Sequence, residues 1–333
     1  MSVRERTRVS VVIPTRDRAA LLAGALRSVQ ALARDDLELE ILVVDNGSTD
    51  DTPQVVRAAG AKLLLCDTPG AAAARNTGMR AATSPYIAFL DDDDEWLPGH
   101  LRPHLALLET DPTLAGVVGR IQNCDHELRR AGEPWPEKLP TDGDLFESFL
   151  QAYPQIGATV VRASVRETVG YFDEELFGDE DWDWHLRLAL QERVGFVDVP
   201  CVLFRQRPPG AYETLQWKRR PYMRRVFLRN VRRAGWRRLR PFMLLAYLRM
   251  RASYFAYFTQ SSLAHLEAGD IARARRSLFR AARSAPFRAT VELIRPGGRF
   301  QRAVRAVLWP SKRAMLSIAG VFWLAPIIEL VLG

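Results

Sequence analysis

Over the first ninety residues, short apolar runs alternate with helical patterns, and this alternation restricts the fold more than any other feature. Runs at 9–13, 40–44, 61–66 and 86–90 read as strands. Between them, 18–33 carries Leu21, Leu22, Ala25, Leu26 and Val29 at helical spacing, 50–59 places Pro53 in a first turn, and 71–82 is alanine-rich. Such alternation implies a mostly parallel sheet with right-handed crossovers and flanking helices. Further on, 101–108 and 179–190 have helical periodicity. Residues 115–121, 159–162 and 195–204 read as strands, and 129–144 reads as a loop rich in proline, glycine and charge.

Asp91, Asp92, Asp93 and Asp94 follow the run 86–90 directly. Charge that begins where a strand ends lies at the carboxyl edge of the sheet, where open α/β folds bind ligands. Adjacent carboxylates raise one another's pKa unless a cation is close. A divalent ion held against a substrate phosphate accounts for such a cluster. The alternative is an acidic cap on a helix opened by Pro98. One aspartate would serve that purpose, and four in a row exceed it.

The other strand ends carry weaker signals. The first turn, Pro14-Thr15-Arg16-Asp17, has neither the GxGxxG of a dinucleotide fold nor a P-loop. The second strand ends at Asp45-Asn46-Gly47-Ser48-Thr49, where a carboxylate could accept hydrogen bonds from a base or ribose. Turn and capping chemistry explains Gly47 and Thr49 equally well. Arg75-Asn76-Thr77-Gly78 places an arginine that could clamp a diphosphate, or simply lie on a helix surface. Gly178-Asp179-Glu180-Asp181 precedes Trp182 and Trp184, whose rings could wall a sugar or fill a core.

Taken in order within one α/β unit, 14–17, 43–50, 74–78 and 86–94 resemble the family 2 glycosyltransferases of GT-A fold. The resemblance is specific over 9–100 and looser to about 207. It implies a Rossmann-like nucleotide-sugar domain. Pro14, Thr15, Arg16, Asp45 and Asn46 match the base and ribose side of the donor site, and Arg75 the diphosphate side. Asp91, Asp92 and Asp93 match the DXD-type element, with Asp92 facing the donor and Asp93 holding Mn²⁺ or Mg²⁺. Inversion needs one base for the acceptor hydroxyl. The resemblance gives that role to Asp181, with Glu180 in support and Trp182 and Trp184 beside the acceptor. The QxxRW element of processive synthases is missing, because 216–220 reads Gln-Trp-Lys-Arg-Arg. The basic segment Arg205-Gln206-Arg207 matches one that closes over donor phosphates.

Composition divides the chain. Between Arg205 and Arg251 there are fifteen Lys or Arg against one acid, Glu213, whereas the aspartate cluster lies in the first third. A boundary near Gly210 gives a catalytic domain at 1–210 and a basic, aromatic helical extension at 211–333. Within the extension, 247–266 and 271–285 form a helical hairpin around Gly269. Residues 314–332 are apolar apart from Ser317 and Glu329, which suits a membrane span, an interfacial helix or a buried docking helix. Cationic residues interleaved with aromatics suit a membrane surface. No nucleic-acid recognition motif accompanies them, so nucleic acid is not expected as a partner. Three widely spaced cysteines and no signal-peptide pattern fit the cytoplasm, with peripheral attachment to the cell membrane.

The expectation is therefore a metal-dependent, inverting glycosyltransferase. It would move sugar from a nucleotide-diphosphate donor to a glycan or lipid-linked glycan in cell-surface polysaccharide biosynthesis. A nucleotidyltransferase is the second enzyme class, but its glycine-rich, lysine-bearing first loop is not found at 14–18. A non-catalytic nucleotide-sugar-binding or scaffold protein is the third, and the intact acids at 91–94 and 179–181 oppose it.

Overall fold

A computed structural model describes residues 6–33, 36–136, 145–152, 154–207, 213–235, 240–295 and 297–308. The apolar segment 314–332, the boundary near Gly210 and part of the expected loop 129–144 lie outside these residues. The chain forms two compact units, 1–206 with 221–235, and 207–220 with 236–333.

The first unit begins with the alternation that the apolar runs dictate. It comprises β1 (Thr7–Thr15), α1 (Ala19–Gln30), β2 (Leu37–Asp45), α2 (Thr52–Ala58), β3 (Lys62–Leu65), α3 (Ala71–Ala81) and β4 (Tyr86–Phe89). Then come β5 (Glu95–Trp96), α4 (Leu101–Thr110), β6 (Leu114–Cys124), α5 (Leu145–Gln151), β7 (Thr159–Arg162), α6 (Val165–Thr168), α7 (Glu180–Gln191) and β8 (Arg193–Arg205). The strands form one mixed sheet in the order β3-β2-β1-β4-β7-β6-β8-β5. From β3 to β4 every pairing is parallel. Beyond β4 the pairing is mixed: β7 runs antiparallel to both β4 and β6, β6 pairs parallel with β8, and β5 runs antiparallel to β8, so the sheet as a whole is mostly parallel, as expected.

Both faces of the sheet are covered. Val9, Val11 and Ile13 pack with Leu22, Leu26 and Val29 of α1 on one face. Val12, Leu42 and Val44 pack with Ala72, Ala73 and Met79 of α3 on the other. Opposite-face alternation along β1 is the strand period at work. Helix α3 lies close to β1 because Gly78 has no side chain: a β-carbon there would come within 2.3 Å of a Val12 methyl. Pro98 does not open a helix. Residues 95–96 form a short strand and α4 begins at Leu101, so the four aspartates occupy a strand-to-strand turn rather than a cap.

The second unit is helical. Helix α8 (Glu213–Ala234) contributes its start to this unit and, from Pro221 onward, belongs to the first. It is followed by α9 (Arg240–Glu267), α10 (Ile271–Ser284), α11 (Pro286–Ile294) and α12 (Arg299–Leu308). Helices α9 and α10 form the expected hairpin, with Gly269 in a left-handed conformation (φ 76°) and Asp270 capping α10 through the Arg273 amide at 2.9 Å. Glu213, the lone acid of the basic stretch, is buried between His265 (3.1 Å) and Arg280 (3.0 Å). The Arg220 and Arg280 guanidinium carbons lie 5.1 and 5.5 Å from the Trp217 ring centroid. Among the described residues, no helix is long and apolar enough to cross a membrane.

Candidate functional site

The carboxyl ends of β1, β2 and β4 meet at one rim of the parallel half-sheet, and their register aligns Thr15 with Asp45. Asp92 is buried there. It accepts a hydrogen bond from the Thr15 hydroxyl at 2.8 Å and one from Arg18 at 2.8 Å. Arg18 also reaches Asp93 at 3.2 Å. Arg75, on the face of α3 turned to the rim, donates to Asp91 at 2.6 Å and to Glu180 at 2.7 Å. Sequence separations of up to 105 residues are thereby closed into one network.

Burial sets the electrostatics. Asp92 is pushed above the usual carboxylate range, chiefly by loss of water and then by the charge of Asp93, while Arg18 and Thr15 oppose the shift. Asp94 is pushed well above it by burial and by repulsion from Asp93 and Asp91. Its carboxylate accepts the Arg205 amide at 2.8 Å, and the Arg205 side chain holds the Asp93 carbonyl at 2.7 Å. Arg205 thus braces the aspartate turn from β8. Arg75 is itself shifted upward, its two carboxylate partners outweighing the cost of burial.

The remaining positions differ in their employment. Asp45 accepts the Ser48 amide at 2.8 Å, and its carbonyl accepts the Cys66 amide. Asn46 is taken up by structure, donating to the Cys66 and Thr68 carbonyls and accepting from the Gly70 amide at 2.7–2.8 Å. Pro14 pairs across β1 and β2 with Val44. Arg16 is exposed and 3.7 Å from Asp17, which takes a left-handed conformation (φ 51°) and receives the Thr49 amide.

Helix α7 is entered through two successive left-handed residues, Gly178 (φ 84°) and Asp179 (φ 60°). That turn presents Glu180 to Arg75 and leaves Asp181 half-buried beside it. Trp182 and Trp184 do not wall an acceptor, contrary to expectation. Trp182 is 3% exposed with its indole N–H on the Phe149 carbonyl. Trp184 is completely buried, stacked on Phe172 at 5.0 Å and edge-on to Phe89. Trp184 fills the core beside β4, while Trp182, two residues earlier and on another face of α7, is buried against α5. Asp183, also fully buried, pairs with Arg187 (3.0 Å) and Arg229 (2.8 Å) and accepts from Asn230 (2.7 Å). The arginine-rich segment 221–235 is anchored to the first unit through this carboxylate.

Sequence reasoning missed Arg18. The signal was available: an arginine immediately after the first strand's turn must lie at the same edge as a carboxylate cluster after the fourth.

The metal-ligating atoms that the rim offers are oxygens, chiefly of carboxylates, the donor set of a hard divalent ion. Crowded negative charge with a guanidinium already drawn onto Asp92 and Asp93 is what such an ion would share or replace. The residues therefore fit a divalent ion such as Mn²⁺ or Mg²⁺, and of the two acids that Arg18 holds Asp93 is the less enclosed, its side chain 13% exposed against 5% for Asp92.

Residues 10–168 match the model of the glycosyl transferase family 2. A Campylobacter jejuni protein described as GalNAc(5)-diNAcBac-PP-undecaprenol beta-1,3-glucosyltransferase is 38% identical over 53% of this chain and 58% of its own length. The Escherichia coli protein described as putative colanic acid biosynthesis glycosyl transferase WcaA is 31% identical over 55% of this chain and 66% of its own. The matched stretch covers only 32% of a Rickettsia conorii relative. Among solved structures, a mannosyltransferase from Pyrobaculum calidifontis, crystallised with GDP-Man and Mn²⁺, superposes with a TM-score of 0.54 at 22% identity, covering 91% of this chain and 86% of the other. The fold is thus the GT-A fold.

Proposed function

This chain belongs to glycosyl transferase family 2 through residues 10–168, and on that premise we propose that it is an inverting glycosyltransferase. Its donor is a nucleotide-diphosphate sugar. Its acceptor is a hydroxyl of a glycan or lipid-linked glycan, in cell-surface polysaccharide assembly. The observation that carries this reading is the double ion pair of Arg75, which ties the acidic strand end to the first turn of α7. A donor-side acid and a candidate base are thereby fixed at one rim.

In this reading Asp45 and the 14–16 turn frame the nucleotide, and Asp91 and Asp92 face the ribose and sugar. Asp93 holds Mn²⁺ or Mg²⁺, which when bound offsets the charge of the leaving diphosphate. Arg18 and Arg75 supply fixed positive charge near the same oxygens. Asp181 takes the proton of the acceptor hydroxyl as that oxygen attacks the anomeric carbon from the face opposite the diphosphate. One base suffices because no covalent intermediate is formed. The names of the Campylobacter and Escherichia relatives support a lipid-linked or polysaccharide acceptor, and the Pyrobaculum complex supports the choice of ligands to try.

The second unit supports a membrane-facing role on the cytoplasmic side. Phe287 is 83% exposed and Val291, one turn on, 45%. Arg283, Arg288 and Arg295 lie close in sequence, the combination that suits anionic headgroups. Release of nucleoside diphosphate from a panel of UDP-, GDP- and dTDP-sugars, with and without Mn²⁺, tests the enzymatic reading. No turnover with any donor and a lipid-linked acceptor would favour a binding protein instead.

A further inference from the structure

A second group of metal-ligating side chains lies within the first unit, outside the aspartate rim. His100 precedes α4, His104 lies one turn on, and Cys201 comes from β8. All three are essentially without solvent exposure, at 0%, 0% and 1%. One ligand atom from each falls within 4.8 Å of the others.

Three features separate this cluster from ordinary core packing. First, neither ring nitrogen of His100 has a hydrogen-bond partner. A fully buried imidazole normally satisfies at least its N–H, and leaving it unpaired is costly. Second, His104 is oriented as ligating histidines are. Its Nδ1 lies 2.6 Å from the His100 carbonyl and its Nε2 3.2 Å from the Ala158 carbonyl; with the N–H on Nδ1, at the shorter contact, Nε2 is left as the ligating atom. Third, β6 carries Gly119 opposite the group. A β-carbon there would stand 2.6 Å from Cys201 Sγ and 3.0 Å from His104 Nε2, so the space at these two atoms depends on the missing side chain. The Cys201 thiol currently donates to the Arg120 carbonyl at 3.1 Å.

We infer that His100, His104 and Cys201 form a buried site for a thiolate- and imidazole-seeking transition-metal ion, zinc(II) or copper(I). On binding, the Cys201 thiol loses its proton to solvent and a sulfur–metal bond forms, with two neutral imidazoles completing the set. Copper(I) is satisfied by three such ligands and leaves the core electrically neutral. Zinc(II) requires a fourth donor, for which the Ala158 carbonyl, 3.2 Å from His104 Nε2, and the Arg120 carbonyl, 3.1 Å from Cys201 Sγ, are at hand. The ion would join α4 to the β6–β8 pair just behind the aspartate turn. Leu97 already bonds to the Cys201 carbonyl at 2.9 Å, and the Trp96 ring lies against His100, tilted by 37° with centroids 4.3 Å apart. The role is structural and independent of the transferase reading.

The test uses the full chain, freed of metal and reloaded with cobalt(II) as a zinc probe or with copper(I) against a chromophoric chelator. The expected result is one equivalent bound by one of the two, with a thiolate-to-cobalt charge-transfer band in the zinc arm. A Cys66→Ser/Cys124→Ser variant should keep the binding, and Cys201→Ser and His100→Gln should each weaken it at least tenfold. A folded wild-type chain that binds neither ion overturns the assignment. So does binding without a thiolate signature, or binding unaffected by Cys201→Ser. Should Cys201→Ser fail to fold, retention of binding in the Cys66→Ser/Cys124→Ser variant assigns the sulfur to Cys201, and its loss overturns the proposal.

Discussion

The buried guanidinium of Arg75 donates to Glu180, also buried, at 2.7 Å while its other terminal nitrogen holds the partly exposed Asp91 at 2.6 Å. A lysine ammonium is one point charge and lacks the two separated terminal nitrogens that Arg75 uses for these contacts. Arg75→Ala should lower unfolding stability by roughly 3–5 kcal/mol, the usual cost of stripping a buried acid of its partner. Arg75→Lys should recover part of the stability but little of the turnover. Urea melts alongside a nucleotide-release assay measure the two effects separately.

Asp181→Asn should leave donor binding intact and reduce transfer by roughly 10²–10⁴-fold, the typical contribution of a positioned base. Donor affinity by calorimetry and turnover by product formation check this. Transfer at the wild-type rate would remove Asp181 from the mechanism.

Asp183 serves stability rather than chemistry. Completely buried between Arg187, Arg229 and Asn230, it holds segment 221–235 to the rest of the first unit. Asp183→Ala should cost roughly 3 kcal/mol by leaving those cations uncompensated. Protease cleavage within 221–235 should quicken in the same variant, and an unchanged melt would contradict the anchoring role.

His185 gives a pH signature. Burial, with the positive charge of Arg75 adding to it, lowers its pKa to about 3, and Thr159 faces its Nε2 at 2.9 Å. Because the folded value is depressed, the unfolded chain takes up the proton first. The stabilisation is complete above about pH 6.5 and is lost progressively as pH falls toward the folded value. Urea melts should show stability declining by about 1 kcal/mol per pH unit between pH 6 and 5 from this group. His185→Gln should flatten that decline, and an equal slope in both proteins would refute the assignment.

Much of the parallel half-sheet was legible because each strand is a short apolar run bounded by turn residues, and β1 to β4 follow those runs closely. The positions at the rim were legible for the same reason, since a strand's last residue must face the sheet's edge. The second half was not. Strand β5 has two residues and no period to detect, and its pairing with β8 is a tertiary outcome. Nothing local announces that β7 inserts antiparallel between β4 and β6. The two tryptophans of α7 misled because aromatic rings beside acids look alike in a sugar site and in a core; only burial separates them. Asn46 looked like a donor contact for a similar reason, and its amide is spent on three backbone groups.

The central claim is that the aspartate rim binds a dication against the donor's diphosphate. The most direct measurement is the thermal shift produced by a nucleoside-diphosphate sugar in the presence and absence of Mn²⁺, for the wild type and Asp93→Asn. The account predicts a shift in the wild type that requires both ligands, and its loss in Asp93→Asn without a change in the unliganded melting temperature. A shift of equal size in Asp93→Asn, or a wild-type shift indifferent to Mn²⁺, would contradict it.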